Sequence, residues 1–311
     1  MRIAVVLNPC AGRNRRDRGR AERLARIVGR SGTVHAPLGL AELERAISAA
    51  LDSEPDVLAL CGGDGSYFRA FSLLEQRLGG RPWPPILPLP GGTINNLVHA
   101  IAAAPTSPER LLRRVVSNLE RGIALEMASC DLFRVGSAEV GYIFGAGMIV
   151  HFLRAYYARR PDPGAAEAAR LLGALILSGI VRGPLQRRIF RPFEADAFCD
   201  GERLPHRQFR QLIASSVPTI GLGFRPFYLA GRKPGHFHVL GGPARAIALI
   251  GRLPRYWRGC PAEHPEMYDN LAAELRIEFG EPSHYTVNGD VLGPVRTLEI
   301  RALRRIALVR G

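Results

Sequence analysis

The sequence predicts an α/β domain on a parallel sheet followed by a domain of antiparallel strands packed as a β-sandwich. Three observations carry this expectation. Strand, small-residue loop and helix succeed one another three times within the first hundred residues. From about Glu126 that rhythm gives way to short strand-like runs separated by Gly and Pro. The 311 residues, 47% of them hydrophobic, supply enough apolar side chain for two domains or one large one.

In chain order, strands are expected near 2–7, 33–36, 56–60 and 86–89, and helices near 17–30, 40–51, 66–78, 94–102 and 106–121. The strands are short, continuous apolar runs, as fits strands covered on both faces. Downstream, strands are expected near 131–135, 139–145, 189–198, 208–217, 236–240, 274–279, 284–288 and 295–300. Two helical interruptions are read at about 151–182 and 243–257. The stretch Ala165–Val181 has apolar residues at helical spacing, with Arg170, Arg182, Arg187 and Arg188 beside it. It reads either as an ordinary buried helix or as the wall or lid of an acyl-chain pocket close to a membrane. Ala244–Trp257 carries the same two readings beside a solvated amphipathic one.

The loops carry the chemistry. Val57–Leu60 leads into Cys61-Gly62-Gly63-Asp64-Gly65-Ser66, the chain start leads into Asn8-Pro9-Cys10-Ala11-Gly12, and Ile86–Pro90 leads into Gly91-Gly92-Thr93-Ile94-Asn95-Asn96. Glycines let backbone N–H groups come close to phosphate, and a helix starting there adds partial positive charge. In a parallel sheet such loops gather at the carboxyl ends of the strands. Each feature also has a plainer reading: turn requirements for the glycines, a helix cap for Asn95 or Asp64, and a hairpin turn for Asn288-Gly289-Asp290.

The net charge of +14 rests on 41 arginines and one lysine, Lys233. A lone lysine in Gly231-Arg232-Lys233-Pro234 fits neither a Walker A loop nor the strand lysine of a protein kinase. Any phosphate here is therefore expected to meet backbone amides, arginine and a divalent ion. Arg13, Arg15, Arg16, Arg18 and Arg20 are candidates for one or two such contacts, or form a solvated face. The basic surface suits anionic lipid headgroups; no nucleic-acid-binding signature accompanies it, so no nucleic acid is expected as a partner. Five scattered cysteines without a CxxC pair argue against zinc or redox chemistry and fit a reducing cytoplasm. His236 and His238 lack a third metal ligand at useful spacing. There is no GxSxG elbow and no signal-peptide pattern, and the longest apolar run is too short to span a bilayer.

In order and spacing, the motifs NPxAG, GGDGS and PGGTxNN resemble the diacylglycerol kinase catalytic family, which includes bacterial diacylglycerol kinases, sphingosine kinases and ceramide kinases. The usual GGDGT is matched by Gly62, Gly63, Asp64, Gly65 and Ser66, and GTxND by Gly92, Thr93 and Asn95, with Asn96 in place of the aspartate. Weaker similarity lies at Gly145–Met148, Gly221–Pro226 and Asn288–Asp290. The resemblance implies a diacylglycerol kinase-like or NAD kinase-like nucleotide-binding domain over 1–124. It also implies a β-rich lipid-substrate domain with helical insertions over 125–294, with the last strands, about 295–311, returning to the first domain. It further implies an ATP-dependent lipid kinase that uses magnesium, sits in the cytoplasm and binds the inner face of the membrane peripherally. Asn8, Gly12, Gly62, Gly63, Gly65, Ser66, Gly92, Thr93 and Asn95 would cradle the nucleotide. Asp64 and Asp290 would be the catalytic and metal-binding acids, with proton acceptance and magnesium orientation both open to Asp64.

This chain departs from the family pattern in several places. Tyr67, Phe68 and Arg69 stand where a run ending in glutamate is usual. The late DGE motif has become Asn288-Gly289-Asp290. A DGxLD stretch that holds a structural metal in some relatives reads Pro234-Gly235-His236-Phe237-His238, so a second metal site is not expected. Keeping Asp64 while losing the first late carboxylate is more similar to the sphingosine and ceramide kinase pattern. The same departures leave open a catalytically impaired nucleotide- or lipid-binding relative. A kinase for a soluble acceptor, as in the similar NAD kinases, is a third reading.

Overall fold

The computed structural model describes residues 2–101, 106–158 and 164–310. Residue 102 of the helix expected at 94–102 and residues 159–163 of the first helical interruption lie outside the described residues. The chain divides into two compact units: residues 1–130 with 305–311, and residues 131–304.

The first unit is a parallel sheet. Its strands are β1 (Ile3–Leu7), β2 (Gly32–His35), β3 (Val57–Gly62) and β4 (Ile86–Pro90). β1 lies between β2 and β3, and β4 pairs with β3 on the far side. The helices are α1 (Gly12–Arg15), α2 (Arg20–Val28), α3 (Leu40–Asp52), α4 (Asp64–Leu78), α5 (Asn96–Ile101) and α6 (Pro108–Glu120). Side chains alternate across a strand. Ile3, Val5, Leu7, Val57, Ala59, Cys61, Leu87 and Leu89 accordingly pack on one face with Leu24 and Val28 of α2 and Leu111, Leu112, Val115 and Val116 of α6. The alternate residues Ala4, Val6, Leu58 and Leu60 are equally buried, and α3 and α4 pack against β1 and β3 with Ile47, Tyr67, Phe68 and Phe71 fully buried. Both faces being covered is why the strands read as unbroken apolar runs.

The second unit is antiparallel throughout. It begins inside β5 (Glu126–Val135). The strands that follow are β6 (Glu139–Gly141), β7 (Ile143–Gly147), β8 (Phe193–Cys199), β9 (Glu202–Arg203), β10 (Gln208–Phe209), β11 (Gln211–Ser215), β12 (Phe237–Gly242), β13 (Tyr268–Ala272), β14 (Glu274–Val287) and β15 (Asp290–Arg310). They run in the order β13-β12-β11-β7-β14-β15, and β14 also pairs with β8. β14 pairs with β8 over Leu275–Phe279 and then with β7 over Tyr285–Val287, with register breaks between.

That break corrects one expectation. Gly280-Glu281-Pro282 reads as a turn between two strands, yet the chain stays extended through it. Gly and Pro here mark an irregularity of the ladder, a known place for both in sheets. The strand expected from residue 189 begins at Phe193; Pro184–Ile189 is instead a helix, started by proline at its first position. β13 has no counterpart in the sequence reading, because Tyr268-Asp269-Asn270 is polar and short. The helices of this unit are α7 (Met148–Tyr157), α8 (Ala165–Ile180), α9 (Pro184–Ile189), α10 (Ala246–Ile250) and α11 (Leu253–Arg258). Leu175 of α8, Ile189 of α9 with Phe190 just after it, and Ala246 and Leu249 of α10 share one buried cluster.

β15 continues to Arg310, and its residues from Arg305 onward belong to the first unit. There Leu308 pairs in parallel with Ile86 of β4, and Val309 joins the core beneath α2 and α6.

Candidate functional site

The loops after β1, β3 and β4 meet within the first unit and are bonded to one another. The Asn8 N–H donates to the Cys61 carbonyl (2.9 Å), and the Gly91 and Gly92 N–H groups both donate to the Gly62 carbonyl (2.8 and 3.0 Å). The Arg13 and Asn14 N–H groups donate to the Gly91 carbonyl (2.9 and 3.2 Å). Each loop therefore spends backbone donors on the next, and the three hold one geometry together.

The closest approach lies between Gly63 and Gly92. A Cβ on Gly92 would sit 2.3 Å from the Gly63 Cα, and one on Gly63 would sit 3.0 Å from the Gly92 Cα. No side chain fits at either position unless the loops separate. Gly62 ends β3, while Gly65 and Ser66 lie in the first turn of α4. Ser66 Oγ accepts from Asn8 Nδ2 (2.8 Å) and from the Gly63 N–H (3.3 Å). Asn8 Oδ1 accepts from the Cys10 N–H (2.9 Å), so this one amide spans its own loop and α4. Gly12 opens α1, and Thr93 lies half-buried between Gly92 and α5.

Asn95 does something different from lining a cradle with its side chain. It is buried in the left-handed region (φ 60°), its Oδ1 accepts from the Gly92 N–H (2.9 Å) and its Nδ2 donates to the Gly92 carbonyl (3.0 Å). Asparagine tolerates that backbone region better than most residues. Asn95 thus fixes the Gly92 turn.

Asp64 begins α4, but its carboxylate serves α5. Oδ2 accepts from the Asn96 N–H (3.1 Å) and from Asn96 Nδ2 (3.3 Å), and Oδ1 lies 3.4 Å from the Leu97 N–H. A carboxylate at a helix N-terminus satisfies orphan donors and suits the helix dipole. The capping role open to Asp64 from sequence is present, on α5 rather than on the helix that Asp64 starts.

Asn14 is the residue that motif reading misses. It is buried, and its Nδ2 donates to the Asn8 carbonyl (2.8 Å) and the Cys61 carbonyl (3.0 Å). Arg20 donates to its Oδ1 (2.7 Å). A Cβ on Gly91 would lie 2.5 Å from the Asn14 amide. One side chain therefore touches all three loops. The signal was an uncharged residue inside Arg13-Asn14-Arg15-Arg16, whose arginines drew the attention. Arg20 is in turn held by Asp17 (3.1 Å) and Glu109 (3.4 Å), and Arg23 pairs with both acids. Arg20 thus belongs to the scaffold between α2 and α6. The same contacts push Arg23 up and hold the Asp17 carboxyl below its usual range.

Of the departures after the motif, Tyr67 and Phe68 are core residues and Arg69 is exposed. Tyr67 is fully buried, its hydroxyl donates to the Leu89 carbonyl (3.0 Å), and burial drives its phenol far above the ordinary range. The Arg69 guanidinium lies 4.7 Å from the centroid of the Phe68 ring.

Asp290 lies in the second unit, at the first position of β15. Asn288 (φ 49°) and Gly289 (φ 94°) form the turn between Val287 and Asp290, the positive-φ pair of a tight hairpin. Asn288 is buried, and its Oδ1 accepts from the Tyr142 and Ile143 N–H groups (3.0 and 2.9 Å). The amide in place of the family acid thus braces the strand beside it. His238 is buried and bonds Asp269 (2.7 Å), which also accepts from the Tyr228 hydroxyl (3.0 Å). His236 is exposed. Among the described residues no three His, Cys, Asp or Glu side chains cluster as metal ligands.

This fold and loop arrangement define a class. The structure is a mixed α/β protein with a parallel N-terminal sheet and antiparallel C-terminal strands. Three solved structures from Bacillus anthracis str. Sterne are similar over 100% of this chain and 97% of theirs. They are a diacylglycerol kinase (TM-score 0.67, 14% identity), a putative diacylglycerol kinase (0.72, 13%) and a further putative diacylglycerol kinase (0.68, 14%). No match is found among curated proteins. Residues 2–128 match the model of the diacylglycerol kinase catalytic domain.

Proposed function

We propose that the protein is an ATP-dependent lipid kinase that transfers the γ-phosphate to a hydroxyl of a membrane lipid: diacylglycerol, a sphingoid base or ceramide. The observation that carries this reading is the contact of Gly63 with Gly92, which leaves a loop cluster walled by backbone beside the start of the fifteen-residue helix α4. Such a surface suits a polyphosphate, because it sets helix-end charge beside backbone that carries no side-chain bulk. In this reading Asn8, Gly12, Gly62, Gly63, Gly65, Ser66, Gly92 and Thr93 hold the nucleotide, and Asn95 and Asn14 hold the loops.

In this reading Asp64 and Asp290 would hold magnesium on the triphosphate. Magnesium commonly takes one or two carboxylates and fills its remaining positions with phosphate oxygens and water. Asp64 is half-buried at the loop cluster, and Asp290 is the second proposed acid. The ion would neutralise phosphate charge. The chain's own part is to align the acceptor and remove its proton. The lipid hydroxyl oxygen bonds to the γ-phosphorus, the bond to the departing ADP oxygen breaks, and the hydroxyl proton passes to Asp64 or Asp290. We place the reaction at the cytoplasmic face of an anionic membrane, where the acceptor lipid resides.

A second reading, a relative that binds nucleotide or lipid without transfer, is favoured by one observation: the Asp64 carboxylate is occupied by the N-terminus of α5. The test uses labelled ATP, magnesium and mixed micelles of each lipid, with Asp64→Asn beside the wild type. Asparagine keeps an acceptor for α5 but loses the charge. Lipid phosphorylation that falls at least about a hundredfold in the variant supports the kinase. ATP binding without transfer to any lipid supports the second reading, and transfer only to water-soluble acceptors overturns the lipid acceptor.

A further inference from the structure

α8 is apolar on two faces. Ala168, Leu171, Leu175, Ser178 and Gly179 are buried, while Leu177 and Ile180, and Val181 just beyond them, are each more than half exposed. A helix apolar all round is normally enclosed on every side. α10 lies against this end of α8, since a Cβ on Gly179 would meet Ile250 at 2.3 Å, and α10 adds the exposed Ile247. On α11 the exposed Trp257 stacks on Phe224, with ring centroids 4.9 Å apart and an interplanar angle of 20°. Two residues from Phe224, Leu222 packs on the cluster containing Leu171. Exposed apolar side chains thus recur on three elements that neighbour one another in the same unit.

The charge around them has one sign. Residues 168–193 and 203–262 contain no Asp or Glu. Arg182, Arg187 and Arg188 follow the exposed stripe, and Arg245 and Arg258 flank Ile247 and Trp257; all five are exposed. Glu263, just past the second segment, is paired with Arg255 (2.5 Å). An isologous contact with a second copy would bring these arginines against themselves. An anionic bilayer complements both features at once. Among the described residues no helix is long and apolar enough to cross a membrane, which leaves a surface mode.

We propose that this face, formed by α8, α10 and α11, docks on an anionic lipid bilayer, with Leu177, Ile180, Val181, Ile247 and Trp257 entering the acyl boundary and the arginines meeting headgroup phosphates. This deepens the lipid-kinase reading by naming the surface that meets the membrane.

The experiment is co-sedimentation of the full chain with phosphatidylcholine vesicles, with and without phosphatidylglycerol, in the absence of ATP. Partition is expected on the anionic vesicles and is expected to weaken with salt. A Leu177→Asp, Ile180→Asp variant should bind about tenfold less, and so should an Arg182, Arg187, Arg188→Ala variant at low salt. Circular dichroism checks that each remains folded. In a Trp83→Phe background, Trp257 emission should shift to the blue on anionic vesicles alone. The proposal is overturned if the wild type does not partition, if both variants bind like the wild type, or if the aspartate variant loses self-association and not vesicle binding. Because binding is read without nucleotide, its failure leaves phosphoryl transfer untouched, and failed transfer with intact vesicle binding overturns only the kinase reading.

Discussion

The loop cluster of the first unit and the α8–α10–α11 face of the second treat exposed structure in opposite ways. In the first, polar groups that could meet water are tied to one another: Asn8, Asn14 and Asn95 spend their amides on neighbouring loop carbonyls and N–H groups. In the second, large apolar groups that could be buried point outward. A cluster of bonded loops is preorganised for a small charged ligand, whereas an open apolar face is suited to a broad, soft one.

The largest expected effect comes from breaking the loop side of this comparison. Gly92→Val would drive Cβ into the Gly63 backbone, costing about 3 kcal/mol of stability and at least tenfold in binding of a fluorescent ATP analogue. Urea unfolding and an anisotropy titration measure the two; unchanged values would mean that the loops part without cost. On the other side, Leu175→Ala should destabilise by about 3 kcal/mol, because it empties a buried position. Leu177→Ala, two residues along the same helix, should stay within about 0.5 kcal/mol of wild type by the same urea measurement. Equal costs would show that Leu177 is covered in solution.

Asn14→Ala should cost about 2 kcal/mol, since it strips one donor each from the Asn8 and Cys61 carbonyls and leaves a hole at a buried position. It should weaken the ATP analogue as well, and failure to do so would separate loop geometry from nucleotide binding. The smallest effect is on pH. The Arg23 bond holds the Asp17 carboxyl below its ordinary value of 3.8. Burial works against Glu109, yet its backbone hydrogen bond and Arg23 hold it below 4.5. Folded values below unfolded ones mean that this network stabilises above the ordinary carboxylate range and that its contribution is lost as pH falls below about 4. Arg23→Met should therefore lower the urea midpoint at pH 7 and narrow the difference between pH 7 and acid.

How much of this was legible in the sequence follows from range. The parallel sheet could be read because each strand is a local apolar run, and the loops because Gly62-Gly63 and Gly91-Gly92 are local requirements. Which partner a polar side chain serves is not local. Asp64 could be read as a cap, but the helix it caps starts thirty-two residues later. Asn14 carried no motif, since its role exists only once β1, β3 and β4 lie side by side. The apolar spacing of α8 likewise gives a helix with two faces, and only packing decides that Leu175 turns in and Leu177 out.

One further consequence concerns synthesis. β4 receives its outer neighbour, and the core beneath α2 and α6 receives Val309, from residues 305–310. A ribosome finishes β1–β4 long before it reaches those residues. The first unit therefore waits with an open sheet edge while the whole second unit is translated, and a chain released before residue 305 would leave that edge available to foreign strands.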